Sequence, residues 1–252
     1  MQFETANTGF IFGREKVLQE LRDRLNGDTS FLLHGASGVG KTFLIRHTIF
    51  DRPGVLYCYD TSSGHSAFHT LALELFLSRD RCVRRSLRTE HNIKHKSTIA
   101  LRGIVLNALR ENRYWIVLDH LRNPAANLSS DVRDIILCTG TPVVAIARSP
   151  HMEDLGFLAP MFVVRSDQMK VPLLGRLETA QFAEEIVRRK RLRATNLADF
   201  LERVVEFSQG SPGAVVEMLN MAAQSRYRIQ GHIKTSPLYI DYRLAWHSAN
   251  AW

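Results

Sequence analysis

The sequence has no apolar run that approaches the roughly 20 residues of a membrane-spanning helix. It also has no internal repeat and no low-complexity tract. Its three cysteines, Cys58, Cys82 and Cys138, are widely spaced and form no CxxC pair, which disfavours a disulfide framework or a thiolate metal site. The first ten residues, MQFETANTGF, lack the basic-then-apolar order of a signal peptide. These absences predict a cytoplasmic protein with reduced thiols and no membrane partner.

The composition is that of an ordinary globular protein, with one clear bias in charge. Hydrophobic residues make up 45% of the 252 residues and charged residues 23%. This length allows one large domain, or a domain with a small satellite. The formal net charge is +8, from 33 Lys and Arg against 25 Asp and Glu. A positive balance favours polyanionic partners such as nucleic acid, although many basic proteins bind none.

Short apolar runs alternate with segments of helical spacing along the first two thirds of the chain. Strands that are apolar throughout and alternate with helices indicate a parallel sheet covered on both faces. We therefore predict an α/β fold of the three-layer sandwich type with a five-stranded parallel sheet. The predicted strands are SFLLHG (30–35), GVLYCYD (54–60), YWIVLD (114–119), TPVVAIA (141–147) and MFVVR (161–165).

The pattern changes after about residue 166. Three helical segments follow with no strand between them: ETAQFAEEIVRRK, LADFLERVVEFS and GAVVEMLNMAAQ. They predict a core domain over 1–166 and a small helical domain over 167–225. The remaining stretch, 226–252, is rich in aromatic residues and lacks clear periodicity, so it is left as an extension of unknown role.

The segment GASGVGKT (35–42) has the GxxxxGK[ST] spacing of a phosphate-binding loop, between a predicted strand and a predicted helix. Its glycines permit backbone angles that turn successive N–H groups toward phosphate oxygens. Lys41 would reach the β- and γ-phosphates, and the Thr42 hydroxyl would ligate Mg²⁺. The loop therefore predicts binding of ATP with Mg²⁺. The candidate nucleotide-binding residues here are Gly35, Gly38, Val39, Gly40, Lys41, Thr42 and Phe43.

The strand YWIVLD ends in Asp119, which His120 follows at once. Given the loop, Asp119 is the candidate acid that holds Mg²⁺ through water, a Walker B residue. A second acid that polarises the attacking water often comes next, but this chain has histidine. His120 could position water through a ring nitrogen, since histidine can act as a base near neutral pH. The sequence favours the other alternative, in which the site lacks its water-activating acid.

Three further segments resemble the ATPase domains of the AAA+ and STAND groups. FIFGRE (10–15) is similar to their "hhGRe" box, and VVAIARS (143–149) resembles their fourth core strand, which ends in a polar sensor residue. GSPGAVVEML (210–219) resembles the GxP signature of the helical lid in NB-ARC and origin-recognition ATPases. The resemblance, over about 10–225, implies that Gly13, Arg14 and Pro212 lie near the adenine and Arg148 near the γ-phosphate. Alternatively, Arg148 is a solvated loop arginine, and GSPG is a helix-start turn capped by Ser211.

One more departure from that resemblance concerns the arginine finger. AAA+ rings usually place this residue just before the fifth strand, where it completes a neighbour's active site. HMEDLGFLAP (151–160), which precedes the predicted fifth strand, contains no arginine or lysine. Arg133 or Arg165 could serve in an unusual assembly, but no pattern selects either. The sequence thus argues against a fast ring motor.

Two segments of the chain are strongly basic. Residues 81–102 carry seven Lys and Arg with a single acid, Glu90, and RRKRLR (188–193) has five basic residues in six. A solvated loop and a polyanion contact explain 81–102 equally well, whereas a solvated helix end is favoured for RRKRLR. Contacts to DNA phosphates would be independent of base sequence and sensitive to salt. The candidate nucleic-acid contacts are Arg84, Arg85, Arg88, Lys94 and Lys96.

Taken together, these patterns predict a slowly hydrolysing ATPase that acts as a nucleotide-dependent switch or assembly protein. It could form homo-oligomers on DNA, as transposition-helper ATPases do. One alternative is a signalling or adaptor protein that binds ATP or ADP, hydrolyses little and has a protein partner. A small-molecule kinase is less favoured, because a helical lid with a GxP signature suits it poorly. The candidate catalytic residues are Lys41, Asp119, His120 and Arg148, and the candidate Mg²⁺ ligands are Thr42 and Asp119.

Overall fold

Five parallel strands form the central sheet of the computed structural model, which describes residues 12–250. Their spatial order is β2-β3-β4-β1-β5. β4 therefore lies between β1 and β3, so the carboxyl ends of these three strands meet at one edge of the sheet. This confirms the predicted α/β fold with a five-stranded parallel sheet. The strands are β1 (Phe31–His34), β2 (Val55–Cys58), β3 (Trp115–Leu118), β4 (Val143–Ala147) and β5 (Gln168–Lys170).

The fifth strand is not where the sequence placed it, so the prediction at 161–165 is wrong. Residues Gly156–Phe162 form a 3-10 helix instead, and β5 pairs with β1 through Leu33 and Met169. Phe162 is buried in the core, but Val163 and Val164 are 71% and 60% exposed. The apolar residues Val163 and Val164 therefore match the sequence pattern of a buried strand although they are exposed.

The chain divides into two units, a core and a helical unit. The core comprises Val17–Ala36 and Lys41–Val171. Buried side chains of its helices pack with the sheet in one large apolar cluster. None of the helices among residues 12–250 combines the length and apolar composition needed to cross a bilayer. The helices from α1 to α8 are α1 (Glu15–Asn26), α2 (Lys41–Ile49), α3 (Gly64–Leu77), α4 (Arg81–Ser86), α5 (Glu90–Lys94), α6 (Thr98–Glu111), α7 (Ala126–Thr139) and α8 (Met152–Leu155).

The basic segment after α3 is folded rather than an open loop. It forms α4 and α5, and Asp80 caps α4 by accepting a hydrogen bond from the Val83 backbone N–H at 3.0 Å. The apolar side chains of Val83, Leu87 and Ile93 are fully buried in the core cluster. This segment is therefore an amphipathic layer whose apolar side faces the core.

Among its described residues, the helical unit contains four α-helices, a short 3-10 helix (Ser225–Tyr227) and a two-stranded hairpin. Besides residues 172–250, it includes the first described residues up to Lys16 and the loop segment Ser37–Gly40. Within the extension that showed no clear periodicity, residues 228–250 form the hairpin and α12, which pack on the same apolar cluster as α9, α10 and α11. Tyr227 is buried there and donates a hydrogen bond to Asp241 at 2.6 Å. The elements are α9 (Arg176–Lys190), α10 (Leu197–Ser208), α11 (Pro212–Ala222), β6 (Arg228–Ile229), β7 (His232–Ile233) and α12 (Thr235–Asn250).

Candidate nucleotide-binding site

The glycine-rich segment 35–42 connects the end of β1 to the start of α2. Gly38 and Gly40 have φ angles of +75° and +96°, which side-chain-bearing residues rarely adopt. α2 begins at Lys41, so the positive end of its dipole and its free N–H groups lie at the end of the loop. A strand, a glycine loop and a helix N-terminus in this order can hold an anion, above all a phosphate.

The Lys41 ammonium lies over its own loop. Its Nζ donates hydrogen bonds to the carbonyl oxygens of Gly35 at 2.7 Å and Ala36 at 3.0 Å. Burial lowers the pKa of Lys41 to about 8; the charges of Asp119 and Asp154 oppose this shift, and that of Arg148 adds to it. Lys41 is therefore a partly desolvated cation with Asp119, Asp154 and Arg148 within electrostatic range.

Asp119 follows β3 and is 1% exposed. Its Oδ2 accepts a hydrogen bond from Thr42 Oγ1 at 2.8 Å, and its Oδ1 accepts one from the His120 backbone N–H at 2.7 Å. The Thr61 hydroxyl donates to the Asp119 carbonyl at 3.0 Å. The structure therefore brings together Thr42 and Asp119, the two candidate Mg²⁺ ligands. Hydroxyl and carboxylate oxygens are hard donors that suit this ion.

Tyr57 on β2 is a member of the site that the sequence reasoning missed. Its hydroxyl donates a hydrogen bond to Asp119 Oδ2, the same oxygen that accepts from Thr42. Burial and the interaction with Asp119 raise the pKa of Tyr57, and the Arg46 guanidinium lies 4.8 Å from the centre of its ring. A sequence signal existed, because a buried tyrosine in an apolar strand needs a partner for its hydroxyl.

His120 and Arg148 occupy different surroundings at the same sheet edge. The His120 side chain is 62% exposed, its Nε2 lies 3.6 Å from Asp119 Oδ2, and its backbone is left-handed at φ +59°. Arg148 follows β4, where its carbonyl accepts a hydrogen bond from the Gly35 N–H at 3.1 Å. The Arg148 Nη2 is buried and has no hydrogen-bond partner among the described residues. A buried guanidinium nitrogen without an acceptor fits a site for an anionic group.

These features test whether the residues fit a nucleoside triphosphate with Mg²⁺. Lys41 and Arg148 are cations near the loop, and Arg148 has a free donor for a phosphate oxygen. Thr42 and Asp119 supply oxygen donors for the ion. Within residues 12–250 there is no group of three or more His, Cys, Asp and Glu that would suggest another metal centre. The donor set fits a Mg²⁺-bound triphosphate.

The GRE box lies in the helical unit together with the middle of the loop. Arg14 is buried, and its Nη1 donates to the Pro172 carbonyl at 2.6 Å, while its Nη2 makes a long contact of 3.5 Å with the Val39 carbonyl. Burial lowers the pKa of Arg14. Gly13 has a φ of +64°, and a Cβ there would lie 3.0 Å from Glu178 Oε1. Phe10 and Ile11 of the box lie outside the described residues.

The GSPG segment caps α11 and also contacts the loop. Ser211 Oγ accepts a hydrogen bond from the Ala214 N–H at 3.4 Å, and Pro212 is the first helical residue. The Gly213 N–H donates to the Gly38 carbonyl at 2.8 Å. Gly210 has a φ of +80°, and a Cβ there would collide with the Leu174 carbonyl. The GSPG segment is thus a capped helix start, and it also donates a hydrogen bond to the phosphate-binding loop.

Phe43, the remaining candidate for nucleotide binding, lies on α2. Its side chain is 39% exposed and its ring is stacked on that of His47, with the ring centroids 6.3 Å apart.

The basic candidates lie on the surface. Arg84 is also engaged within the chain, since its guanidinium lies 5.2 Å from the ring centre of Phe76. Arg133 and Arg165 are both exposed. Because β5 begins at Gln168, the segment directly before the fifth strand does contain an arginine, Arg165. The lack of arginine in 151–160 therefore does not exclude an arginine finger before the fifth strand, because that strand lies further along the chain. The exposed nucleic-acid candidates are Arg84, Arg85, Arg88, Lys94 and Lys96.

Comparison with known proteins shows similarity in structure. No family model and no curated protein sequence matches the chain. The Orc1 protein of Aeropyrum pernix, solved in complex with DNA, is 15% identical with a TM-score of 0.64, covering 95% of this chain and 66% of that one. A Walker-type ATPase of Pyrococcus abyssi is 17% identical with a TM-score of 0.66, covering 96% and 75%. Cdc6p of Pyrobaculum aerophilum is 16% identical with a TM-score of 0.61, covering 88% and 64%.

These similarities concern the fold. They confirm that the chain has the fold of the Orc1/Cdc6-type P-loop ATPases, which the three motif resemblances predicted. The chain spans about two thirds of the length of the Orc1 and Cdc6p structures.

Proposed function

We propose that the chain binds ATP with Mg²⁺ at the loop 35–42 and acts as a nucleotide-dependent switch or assembly ATPase. The observation that carries this proposal is the hydrogen bond from Thr42 to Asp119 at 2.8 Å, with the buried, unpaired Nη2 atom of Arg148 at the same sheet edge. Thr42 and Asp119 would hold Mg²⁺, which supplies positive charge beside the phosphates. Lys41 and Arg148 would neutralise phosphate oxygens.

We infer further that hydrolysis by the isolated chain is slow. His120 stands where a second acid would polarise water, and its side chain is largely exposed beside Asp119. Arg165 lies directly before β5 and is exposed, so a second copy of the chain could receive it as an arginine finger. Turnover would then rise when copies assemble, because such a residue contributes several orders of magnitude.

The proposed partner of the basic segment is the phosphate backbone of DNA. Each of the five candidate side chains there is exposed, while the apolar residues between them are buried. Contacts of this kind add affinity without base specificity. The fold similarity to an Orc1 protein solved in complex with DNA agrees with this proposal.

Binding and turnover test the nucleotide part. Calorimetric titration with ATP and Mg²⁺ should show one site, and Asp119→Asn should weaken the dependence on Mg²⁺. Steady-state phosphate release by the protein alone should stay below about one per second, against a typical enzyme turnover near ten. Absence of ATP binding would overturn the proposal, and fast turnover without a partner would overturn its slow-hydrolysis part.

Salt dependence tests the DNA part. The affinity for duplex DNA should be measured by fluorescence anisotropy at several salt concentrations. Replacing Arg85 and Arg88 with alanine should reduce the slope of log K against log salt by about two, since each phosphate contact contributes about 0.9. The matched control replaces Lys190 and Arg193, which are also exposed, and should leave the slope unchanged. Equal slopes in both double variants would exclude α4 and the loop after it as the DNA contact.

A further inference from the structure

The C-terminal helix α12 carries a row of aromatic side chains on one face. Tyr239, Tyr242 and Trp246 are three and four residues apart, the spacing that places side chains on the same side of a helix. Their ring centroids follow one another at 6.5 Å and 5.9 Å, and Tyr239 stacks on Phe207 of α10 at 3.8 Å. Burial raises the pKa of Tyr242 to about 12. The row therefore anchors α12 in the helical unit.

Trp246, at the end of this row, contacts the glycine loop. A Cβ placed on Gly38 would lie 3.1 Å from Trp246 Cη2, 2.6 Å from Ser211 Oγ and 3.7 Å from Gly213 Cα. The Gly38 carbonyl accepts the hydrogen bond from Gly213. Gly38 is thus enclosed by the indole ring, the cap of α11 and its first turn, and only a hydrogen atom fits there.

We propose that Trp246 is a positioning residue for the phosphate-binding loop, so that nucleotide binding and the seating of α12 are coupled. This inference depends on the proposed binding of ATP. Phosphate is held by backbone N–H groups, which must be arranged before or during binding. A loop already held in one conformation loses less entropy when phosphate binds. Trp246 therefore raises the affinity for nucleotide without touching it.

The coupling must work in both directions, because a change in one binding equilibrium requires an equal change in the other. If Trp246 strengthens nucleotide binding through Gly38, then bound nucleotide strengthens the contact between Gly38 and Trp246. The indole would then report loading by a change in fluorescence. A tryptophan that only filled the apolar cluster of the helical unit would show no such response.

The experiment uses the full chain and a non-hydrolysable ATP analogue with Mg²⁺. The chain has three tryptophans, Trp115, Trp246 and Trp252, so Trp246→Phe and Trp252→Phe assign the signal. A nucleotide-dependent change in emission is expected in the wild type and in Trp252→Phe, and is expected to disappear in Trp246→Phe. If it persists in Trp246→Phe, or if no change occurs at saturation, the coupling is wrong.

Affinity provides the second measurement. Calorimetric titration should show about tenfold weaker binding of the analogue in Trp246→Ala, within the usual range of coupling between sites. Trp246→Phe should recover only part of this loss, because its shorter ring keeps the aromatic row of α12 but does not reach Gly38 as Trp246 Cη2 does. Ile240→Ala, at a 58% exposed position of the same helix, is the matched control and should bind like the wild type.

The two proposals fail in different ways. If the wild type binds no analogue, the proposed function itself is wrong. If the wild type binds and folded Trp246→Ala binds equally well, only the positioning role is wrong. Circular dichroism establishes whether Trp246→Ala is folded; if it is not, Trp246→Phe and the wild-type fluorescence response still decide the question.

Discussion

The two parts of the glycine loop are held by different kinds of interaction. Lys41 and Thr42, at its end, belong to the core and act through side chains: an ammonium on backbone carbonyls and a hydroxyl on Asp119. Ser37–Gly40, in the middle, groups with the helical unit and is held at Gly38 by backbone and ring contacts. The first part depends on charged and hydrogen-bonding side chains, and the second depends on close packing around Gly38. Substitutions should separate the contributions of the two parts, because the charge of Lys41 and the space around Gly38 can be changed independently.

The largest effect is expected from Lys41→Ala, which removes the charge of the first part and leaves the contacts of Gly38 in place. Loss of a charged hydrogen bond to phosphate should weaken ATP binding about a hundredfold, or about 2.7 kcal/mol. Calorimetric titration measures this, with Lys16→Ala, an exposed lysine of α1, as the control. Unchanged affinity in Lys41→Ala would mean that ATP does not bind at this loop.

Gly38→Ala and Gly40→Ala test the second part as a matched pair. Both residues have left-handed backbones, so each substitution should cost about 1–2 kcal/mol in strain. A Cβ on Gly38 would also overlap Ser211 and Trp246, whereas one on Gly40 meets no atom within 4 Å. We expect Gly38→Ala to lower the free energy of unfolding by about 2 kcal/mol more than Gly40→Ala, measured by denaturant titration without nucleotide. Equal losses would show that the packing around Gly38 contributes nothing.

The pH dependence of ATP binding sharpens the part played by Lys41. Its pKa of about 8 lies below the ordinary lysine value, so the side chain loses its charge as the pH rises through 8. Neutral Lys41 binds phosphate less well. Affinity should therefore fall about tenfold between pH 7 and pH 9, the proton linkage of one group. In Lys41→Arg the fall should be absent, because arginine stays charged; an equal fall there would assign it to another group.

Tyr57→Phe should give the smallest effect. It removes one hydrogen bond to Asp119 and leaves those from Thr42 and the His120 N–H. The free energy of unfolding should drop by about 1 kcal/mol, and the Mg²⁺ concentration for half-maximal ATP binding should rise about threefold. Tyr59→Phe, two residues on and 45% exposed, is the control. If both variants behave alike, Tyr57 does not orient Asp119.

How far the sequence predicts this molecule depends on the sequence distance between contacting residues. The loop, its strand and its helix are contiguous, so a local motif predicted them. The contacts of Tyr57 with Asp119 and of Trp246 with Gly38 join distant segments, and no local pattern carries them. For Tyr57 the sequence gives some indication, because a tyrosine in an apolar strand needs a partner for its hydroxyl. For Trp246 it gives none, because this residue is one of several aromatic residues in the stretch 226–252, which lacks clear periodicity.

The fifth strand shows a second kind of limit. An apolar run predicts burial, but not the partner against which it is buried. In the segment 161–165, Phe162 fills the core from a 3-10 helix while Val163 and Val164 face solvent. The true strand, Gln168–Lys170, offers only Met169 as a buried side chain, so its pattern is too short to detect. The position of β5 is determined by its hydrogen bonds to β1, which is distant in sequence, so no local pattern predicts it.

The anchoring of α4 and α5 has a calorimetric consequence. Val83, Leu87 and Ile93 are buried within the chain itself, so the basic side chains are carried by a segment that is folded before a polyanion binds. Polyanion binding there would not include the ordering of a disordered segment, which ordinarily costs about 2–5 kcal/mol and gives a large negative heat-capacity change. A small heat-capacity change together with a steep salt slope would therefore be the signature of binding at this surface. The affinity would follow the number of charges rather than the folding of the segment that carries them.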